Sequence, residues 1–495
     1  MPVVKRKFAY IGAGWVAGLL LFLALGINAA AGLSSALSAF CAVLMKCKKA
    51  DSSTVGAAKY MLFITLPALL GALFFACFTV KSYSPVTALA GNEVTISGTV
   101  TDCAEISGGR TRITVKGRIG GVRAKAVVFT KGEFSRGERV EAIFAAKVPE
   151  NTENFAAEDY YRSLGIFLTG SGSAKKTGEI NALRYTAGKL RERALSGIYE
   201  NCGEKSGAFL ASVLCSDRSR LDSDTKNAVY RAGIGHIFAV SGTHIVMLLM
   251  FLRPLLKRLI LPVRLRSAVT GFILVMFALF AGGSLPVIRA CIMVGISLSA
   301  VIFCREADST NSLGIAAFVV TAADPFAVTG VSFWLSFTAA AAFGVLSPAM
   351  CEGRTEHPTI KHIVSCVCVN VLTLPVCAVS FEEVSLISAV SNVLLIPLCS
   401  ACLCLALVFT MTGCLLTPLI FLADKSAGAV IRLCELVSAS PYSYTATENA
   451  PLLVFWGIVT STLFIGCGAV KERRPSDLAK CGAVYLAICI LAAIV

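Results

Sequence analysis

Long apolar runs separated by short basic loops dominate the chain, and one extended polar segment interrupts them. A helix needs about 20 apolar residues to cross the hydrocarbon core of a bilayer. Residues 8–28, 29–45 and 60–80 meet that need first, with Lys5, Arg6 and Lys7 ahead of the first run and Lys46, Lys48 and Lys49 after the second. Placing both basic clusters in the cytoplasm sends the third helix outward, so the segment from about Ser82 to Gly235 falls outside. The N-terminal run followed by Ala29, Ala30 and Ala31 imitates a secretion signal. More apolar runs follow at once, so it reads as an uncleaved anchor. Beyond His236 the candidate spans are 236–252, 268–283, 287–304, 309–323, 329–347, 362–380, 426–440, 451–470 and 479–495. With Glu382 and Glu383 outside and Asp424 and Lys425 inside, residues 385–421 must cross an odd number of times. One full crossing plus a re-entrant or broken piece near Pro397 satisfies that parity.

The outer segment has a different rhythm. Short alternating runs at 94–100, 112–116, 124–129 and 139–146, bounded by turn residues, predict a small β-barrel or sandwich. From Ile180 to Arg231 the period lengthens toward 3.6, which predicts amphipathic helices on the outer membrane surface.

Composition agrees and narrows the classes. Hydrophobic residues make up 56% of the 495 and charged residues 15%. A soluble domain carries about 25% charge, so a soluble globule, a disordered chain and a coiled coil are excluded. The net charge of +15 suits both a basic cytoplasmic face and an anionic partner. Of the 20 cysteines most lie in apolar runs, such as Cys366, Cys368, Cys402, Cys404 and Cys414, where they act as small hydrophobes. With four histidines and no zinc-type spacing, neither a metal nor another cofactor is expected. Cys202 and Cys215 both lie outside, and a bridge between them stays open.

Three places could carry chemistry. In the hairpin from Arg110 to Phe129, Arg110, Arg112, Lys116 and Arg118 recur at even spacing and share one strand face, with Ile113, Val115 and Ile119 on the other. Gly120 and Gly121 supply a tight turn, and Arg123 and Lys125 return on the next strand. The face is either a solvated strand surface or a track for successive phosphates of a polyanion. It lacks aromatics for base stacking. The second place is His236 to His244, which opens a span with His236, Ser241, Gly242, Thr243 and His244. Such groups face a water-filled path or pack against a partner helix. A Ser241–His244 nucleophile pair lacks the elbow motif and an orienting acid. Third, Arg289 sits inside a helix begun by Pro286, with Asp324 as the acid first expected to pair with it; a structural ion pair or snorkelling is the alternative. Ser336, Asn370, Asn392 and Pro397 add polar or helix-breaking positions in the same apolar region.

These features together resemble the ComEC-type competence proteins, bacterial inner-membrane channels thought to pass single-stranded DNA inward during transformation. Phe155 to Gly165 is similar to the close of that family's oligonucleotide-binding-like (OB-like) outer domain. Asp217-Arg218, Leu221, Arg231-Ala232-Gly233 and His236 to His244 resemble the approach to its competence region. Arg289-Ala290 with Met293, Asp324-Pro325, Gly330 to Phe337 with Ala339, Leu374-Pro375, and Asn392 with Pro397 follow in the family's order. Many members carry a C-terminal metallo-β-lactamase-like domain; on the resemblance this chain is expected to be a short form without it, with any nuclease on a separate polypeptide.

The resemblance implies a polytopic α-helical membrane protein with a small extracytoplasmic all-β, OB-like domain inserted after the third transmembrane helix. Its expected parts are N-terminal helices (1–81), the β domain (82–179), surface helices (180–235) and a multi-span channel domain (236–495). The expected function is translocation of single-stranded DNA, without enzymatic catalysis. Arg110, Arg112, Lys116, Arg118, Arg123 and Lys125 would bind DNA, and His236, Ser241, Gly242, His244, Arg289, Asp324, Ser336 and Asn392 would line the channel. Expected partners are single-stranded DNA, the lipid bilayer and other competence proteins, including a DNA receptor, a separate nuclease and a cytoplasmic motor. The rival readings are a secondary transporter of a small anionic solute and an intramembrane serine hydrolase.

Overall fold

A computed structural model describes residues 6–46, 52–106, 109–152, 156–259, 261–351, 356–381, 383–385, 387–440 and 444–446. The candidate spans at 451–470 and 479–495 lie outside the described residues. Among those described, six helices are long and apolar enough to cross a membrane, as a multi-pass membrane protein requires.

The first, α1 (Lys7–Lys46), is broken at Gly26, whose φ of 76° only glycine adopts cheaply. Gly14 and Gly18 of α1 press on the backbone of Ile64 and Ala68 in α2 (Ser52–Phe78), and Phe22 stacks on Phe75 at 4.9 Å. Residues 14 to 22 therefore run parallel to 64 to 75, and the half of α1 beyond Gly26 has to return between them. Where three apolar runs were expected, the chain forms two helices, the first of them broken at Gly26. Small residues permit this close approach where lipid offers no hydrophobic drive. From α2 the chain passes through a wider turn (Thr79–Tyr83) and α3 (Ser84–Thr87) into the barrel.

The barrel comprises β1 (Glu93–Ile106), β2 (Arg110–Ile119), β3 (Val122–Lys131), β4 (Glu138–Ala145) and β5 (Ile166–Ile180), with α4 (Ala157–Ser163) before β5. The strands close in the order β1-β2-β3-β5-β4, with β1 pairing β4 and β3 parallel to β5. Ile96, Ile113, Val115, Ile119, Val128, Phe144 and Leu168 fill the interior. Closure removes the open edges that a five-strand sheet would expose. The barrel sits on the bundle through an aromatic cluster. Tyr83, Phe167 and Phe326 lie 5.0–5.9 Å apart, and the Arg162 guanidinium lies 5.6 Å from the rings of Tyr83 and Phe326.

After the barrel come α5 (Ala182–Asn201), α6 (Glu204–Cys215) and α7 (Ser223–Arg231). The expected amphipathic pattern fails at α6, where every residue from Gly207 to Cys215 is buried. Its Phe209, Leu210, Val213 and Leu214 join one core cluster with residues of α5, α15 and α16. Cys202 and Cys215 flank that helix as free thiols. The bundle continues with α8 (Gly242–Arg258), α9 (Val263–Phe280), α10 (Leu285–Ile302), α11 (Ser309–Ala323), α12 (Val331–Ala341), α13 (Ser347–Cys351), α14 (Pro358–Ser380), α15 (Ser388–Met411) and α16 (Thr417–Ser438). A short ribbon pairs β6 (Glu383–Ser385) with β7 (Tyr444–Ala446). Contrary to the expected broken piece, α15 runs through Pro397 as one helix, held by buried Leu395, Cys399, Cys402 and Leu403. The chain then turns at Gly413 and Cys414, both at positive φ, and Asp424 falls inside α16, where its carboxylate accepts from the Gly203 N–H at 2.9 Å.

The ends of the bundle differ in charge. The loops 281–284, 324–330 and 232–241 meet the barrel or one another. One helix length away lie Lys257, Arg258, Arg264, Arg266 and Arg305, and Arg6 reaches Asp308 there at 3.3 Å.

Candidate functional site

Strand alternation organises the hairpin as the spacing predicts. Thr111, Ile113, Val115 and Ile119 of β2 are buried, while Arg110, Lys116 and Arg118 are exposed and Arg112 is half-buried. Gly120 and Gly121 take positive φ of 54° and 84°, as a two-residue hairpin turn demands. The register then sets cation opposite cation. Arg110 faces Lys131, Lys116 faces Lys125 and Arg118 faces Arg123. Like charges directly opposite destabilise a ladder. Across this face only Arg112 meets a carboxylate within ion-pair reach among the described residues, Asp102 at 3.8 Å.

Lys125 points back toward the bundle, where its ammonium donates to the Leu164 carbonyl at 2.5 Å. Burial lowers its pKa, opposed by the nearby carboxylate of Asp324. Asp324 caps the turn after α11 by accepting the Phe326 N–H at 3.2 Å. Burial raises its pKa to about 6 against the pull of Lys125 and Lys116. This corrects the expected pairing. The capping bond fixes the Asp324 carboxylate beneath the barrel, so it serves the hairpin and not Arg289.

Arg289 lies at the start of the second turn of α10 and is buried. Its Nε donates to Ser336 Oγ at 2.7 Å, and its guanidinium lies 5.8 Å from the Phe337 ring. A Cβ added to Gly242 would lie 3.2 Å from Arg289 Nη2, so the bare backbone at the start of α8 makes room for the cation. No carboxylate pairs with Arg289 among the described residues. The Ser336 hydroxyl and the Phe337 ring face are what the fold offers the cation in place of a carboxylate.

Beside it, the Ser241 N–H donates to His244 Nδ1 at 3.2 Å, in a reciprocal cap at the start of α8. Because Nδ1 accepts there, Nε2 carries the proton and donates to the Val213 carbonyl at 2.9 Å. His244 is therefore a neutral anchor tying α8 to α6. His236 is exposed on the loop before α8. The structure thus brings Ser241, Gly242, His244, Arg289 and Ser336 together. Asn392 stands apart near the start of α15, where its Oδ1 and the neighbouring Ser391 hydroxyl have no hydrogen-bond partner. The adjacent Ser388 packs on Gly233 and donates to Asn370 at 2.6 Å. Buried polar atoms without partners are uncommon in folded proteins.

Sequence reading missed Arg136 and Arg191. Neither belongs to a periodic basic run, so no signal along the chain marks them; only folding sets them beside Asp102 and Cys215. No group of three or more metal-ligating side chains occurs among the described residues.

Two comparisons bear on this arrangement of a barrel over a helical bundle. The family described as Competence protein matches residues 213–474, just over half of the chain, so the chain belongs to the competence protein family. It is similar to the ComE operon protein 3 of Bacillus subtilis (strain 168), 22% identical over 328 residues that cover 64% of this chain and 41% of that protein. The match thus spans about two fifths of the relative's length. No solved structure matches.

Proposed function

We propose that this chain conducts one strand of DNA inward across the cytoplasmic membrane during natural transformation, with the barrel outside as its OB-like receiving domain. The observation that carries the reading is the row of like-charged cross-strand pairs on a barrel docked over the same bundle end that holds Arg289. Such pairing costs stability unless a polyanion covers it. The closed five-strand barrel supports the OB-like assignment. The basic residues gathered at the far end support a cytoplasmic N-terminus, by the positive-inside rule.

On this reading the hairpin concentrates the strand, Ser241, Gly242, His244 and Ser336 shape the mouth, and Arg289 offsets phosphate charge where burial makes charge costly. No covalent step is involved. Partners would be a surface DNA receptor, a nuclease on a separate chain and a motor on the cytoplasmic side. Ser241 Oγ does lie 3.2 Å from His244 Nδ1, as a hydrolase would need. That nitrogen already accepts a backbone N–H, and the far nitrogen meets a carbonyl rather than an acid, so a serine-directed covalent probe should leave Ser241 unlabelled. Transport of a small anion would not need a cationic face as long as β2.

The deciding experiment measures labelled DNA in two pools, bound at the cell surface and protected from added nuclease. Cells carrying Arg289→Ala should keep the first pool and lose the second. Normal protected DNA in that variant would remove Arg289 from the path.

A further inference from the structure

Between the basic hairpin and Arg289 lies the seam where the barrel meets the bundle, and its charges do not balance. Asp102, at the register shift of β1, is shared by Arg112 at 3.8 Å and by Arg136, which forms the closer ion pair. Arg136 comes from the β3–β4 connection. Its Nη1 is buried with no hydrogen-bond partner and lies 3.2 Å from where a Cβ on Gly282 would stand. Arg191, on α5, donates to the Cys215 carbonyl. Burial, and next the positive charge of Arg136, hold the Arg191 pKa below its usual value.

Arg112 and Arg136 thus share one carboxylate, while Arg191 meets only a backbone carbonyl. The other acids nearby are committed elsewhere: Glu192 to Lys189 at 2.7 Å and to Ser135 at 3.1 Å, and Asp217 to the Ser219 N–H at 3.1 Å and Tyr199 at 3.3 Å. Desolvated cations in excess of their counter-ions are costly unless an anion joins them. The seam also leads somewhere. Ser216, next to Cys215, accepts the Val240 N–H at 3.1 Å, and Ser284, next to Gly283, donates to the Val240 carbonyl at 3.2 Å. Two residues beyond Val240 is Gly242, against Arg289.

We propose that Arg136 and Arg191 bind a backbone phosphodiester of the strand, as a relay between the hairpin and the mouth of the bundle, with Asp102 as the counter-ion that the phosphate displaces. The ligand class is a single-stranded polyphosphate backbone, read without base contacts. Arg136 fits the role because its planar fork can release one carboxylate oxygen and take a phosphate oxygen while keeping Asp102 in reach. This relay rests on the conduction reading above.

The test uses the full-length chain in lipid nanodiscs, titrated with a fluorescent single-stranded oligonucleotide, alongside uptake of labelled DNA by cells. Arg136→Gln and Arg191→Gln should each weaken binding about tenfold, the size of one charged hydrogen-bond pair. Asp102→Asn should bind as tightly as the parent or more tightly, since the competing carboxylate is gone. A purely structural clasp gives the opposite pattern, with Asp102→Asn losing as much as Arg136→Gln, and that result overturns the relay. Unchanged binding in both Arg136→Gln and Arg191→Gln overturns it too, even if one of them folds poorly. Seam-dependent binding without strand entry in the parent would keep the relay and sink conduction. Strand entry that ignores both arginines would do the reverse.

Discussion

The barrel and the bundle handle positive charge in opposite ways. On the hairpin, cations are many, mostly exposed and set against one another, as Arg110 with Lys131 and Arg118 with Arg123. In the bundle one arginine is buried among the described residues, held by a hydroxyl, a ring face and the space left by a glycine. Water and salt screen the first arrangement over roughly 10 Å. The apolar surroundings of the second screen nothing, so each charge there must be rare and individually housed. A polyanion moving from one to the other would pass from a screened, sliding attachment to a few fixed contacts.

The largest test of that contrast is Arg289→Ala. Removing a desolvated phosphate interaction of about 3 kcal/mol corresponds to roughly 100-fold in strand entry, with membrane abundance unchanged. Arg289→Lys keeps the charge but not the geometry of the Ser336 bond, and should recover only part of the deficit. If Arg289→Ala instead removes the protein from the membrane, the arginine is a packing element and the contrast fails.

The hairpin responds to salt, not to a single residue. Changing Arg110, Arg112, Lys116 and Arg118 together to Ala should weaken binding of single-stranded DNA to the full-length protein. The slope of log affinity against log salt should flatten by about 0.7 for each phosphate no longer neutralised. Thermal stability should hold or rise, because like-charge pairs are relieved. A drop in stability with unchanged affinity would make the face a structural one.

A smaller effect belongs to the junction of the two regions. Burial raises the Asp324 pKa from 3.8 to about 6, so the folded state keeps its proton where the unfolded chain has lost it. Stability from this group is present at pH below about 4 and falls as pH rises toward 6, by at most on the order of 3 kcal/mol. Asp324→Asn should abolish that part of the pH dependence, measured as the difference between the two melting profiles. Equal slopes in parent and variant would show Asp324 to be solvated.

Smallest is Gly242→Ala. Its Cβ would sit 3.2 Å from Arg289 Nη2, which asks the guanidinium to shift by a few tenths of an ångström. Strand entry should fall only about two- to threefold, and Gly242→Val should exceed it.

The alternation of β2, the Gly120-Gly121 turn and the membrane class could be read along the chain, because each depends on spacing within one element. The burial of Gly207 to Cys215 could not be, since whether a short apolar helix lies on a surface or inside a bundle depends on the neighbours that surround it. Nor could Pro397 be assigned, because a proline breaks or merely bends a helix according to what packs around it. Asp324 was a fair candidate by residue type and went to the wrong cation, because a two-residue capping bond aims its carboxylate toward the barrel.

Periodicity and composition alone thus determined that apolar helices carry a small β domain with one strongly cationic strand face. Which charges meet was decided in three dimensions: Arg289 with Ser336 across 47 positions of sequence, Arg136 with Asp102 across 34. The reason is physical. Backbone hydrogen bonding and side-chain period act over a few residues, whereas desolvation and ion pairing depend on whatever surface the finished fold brings alongside.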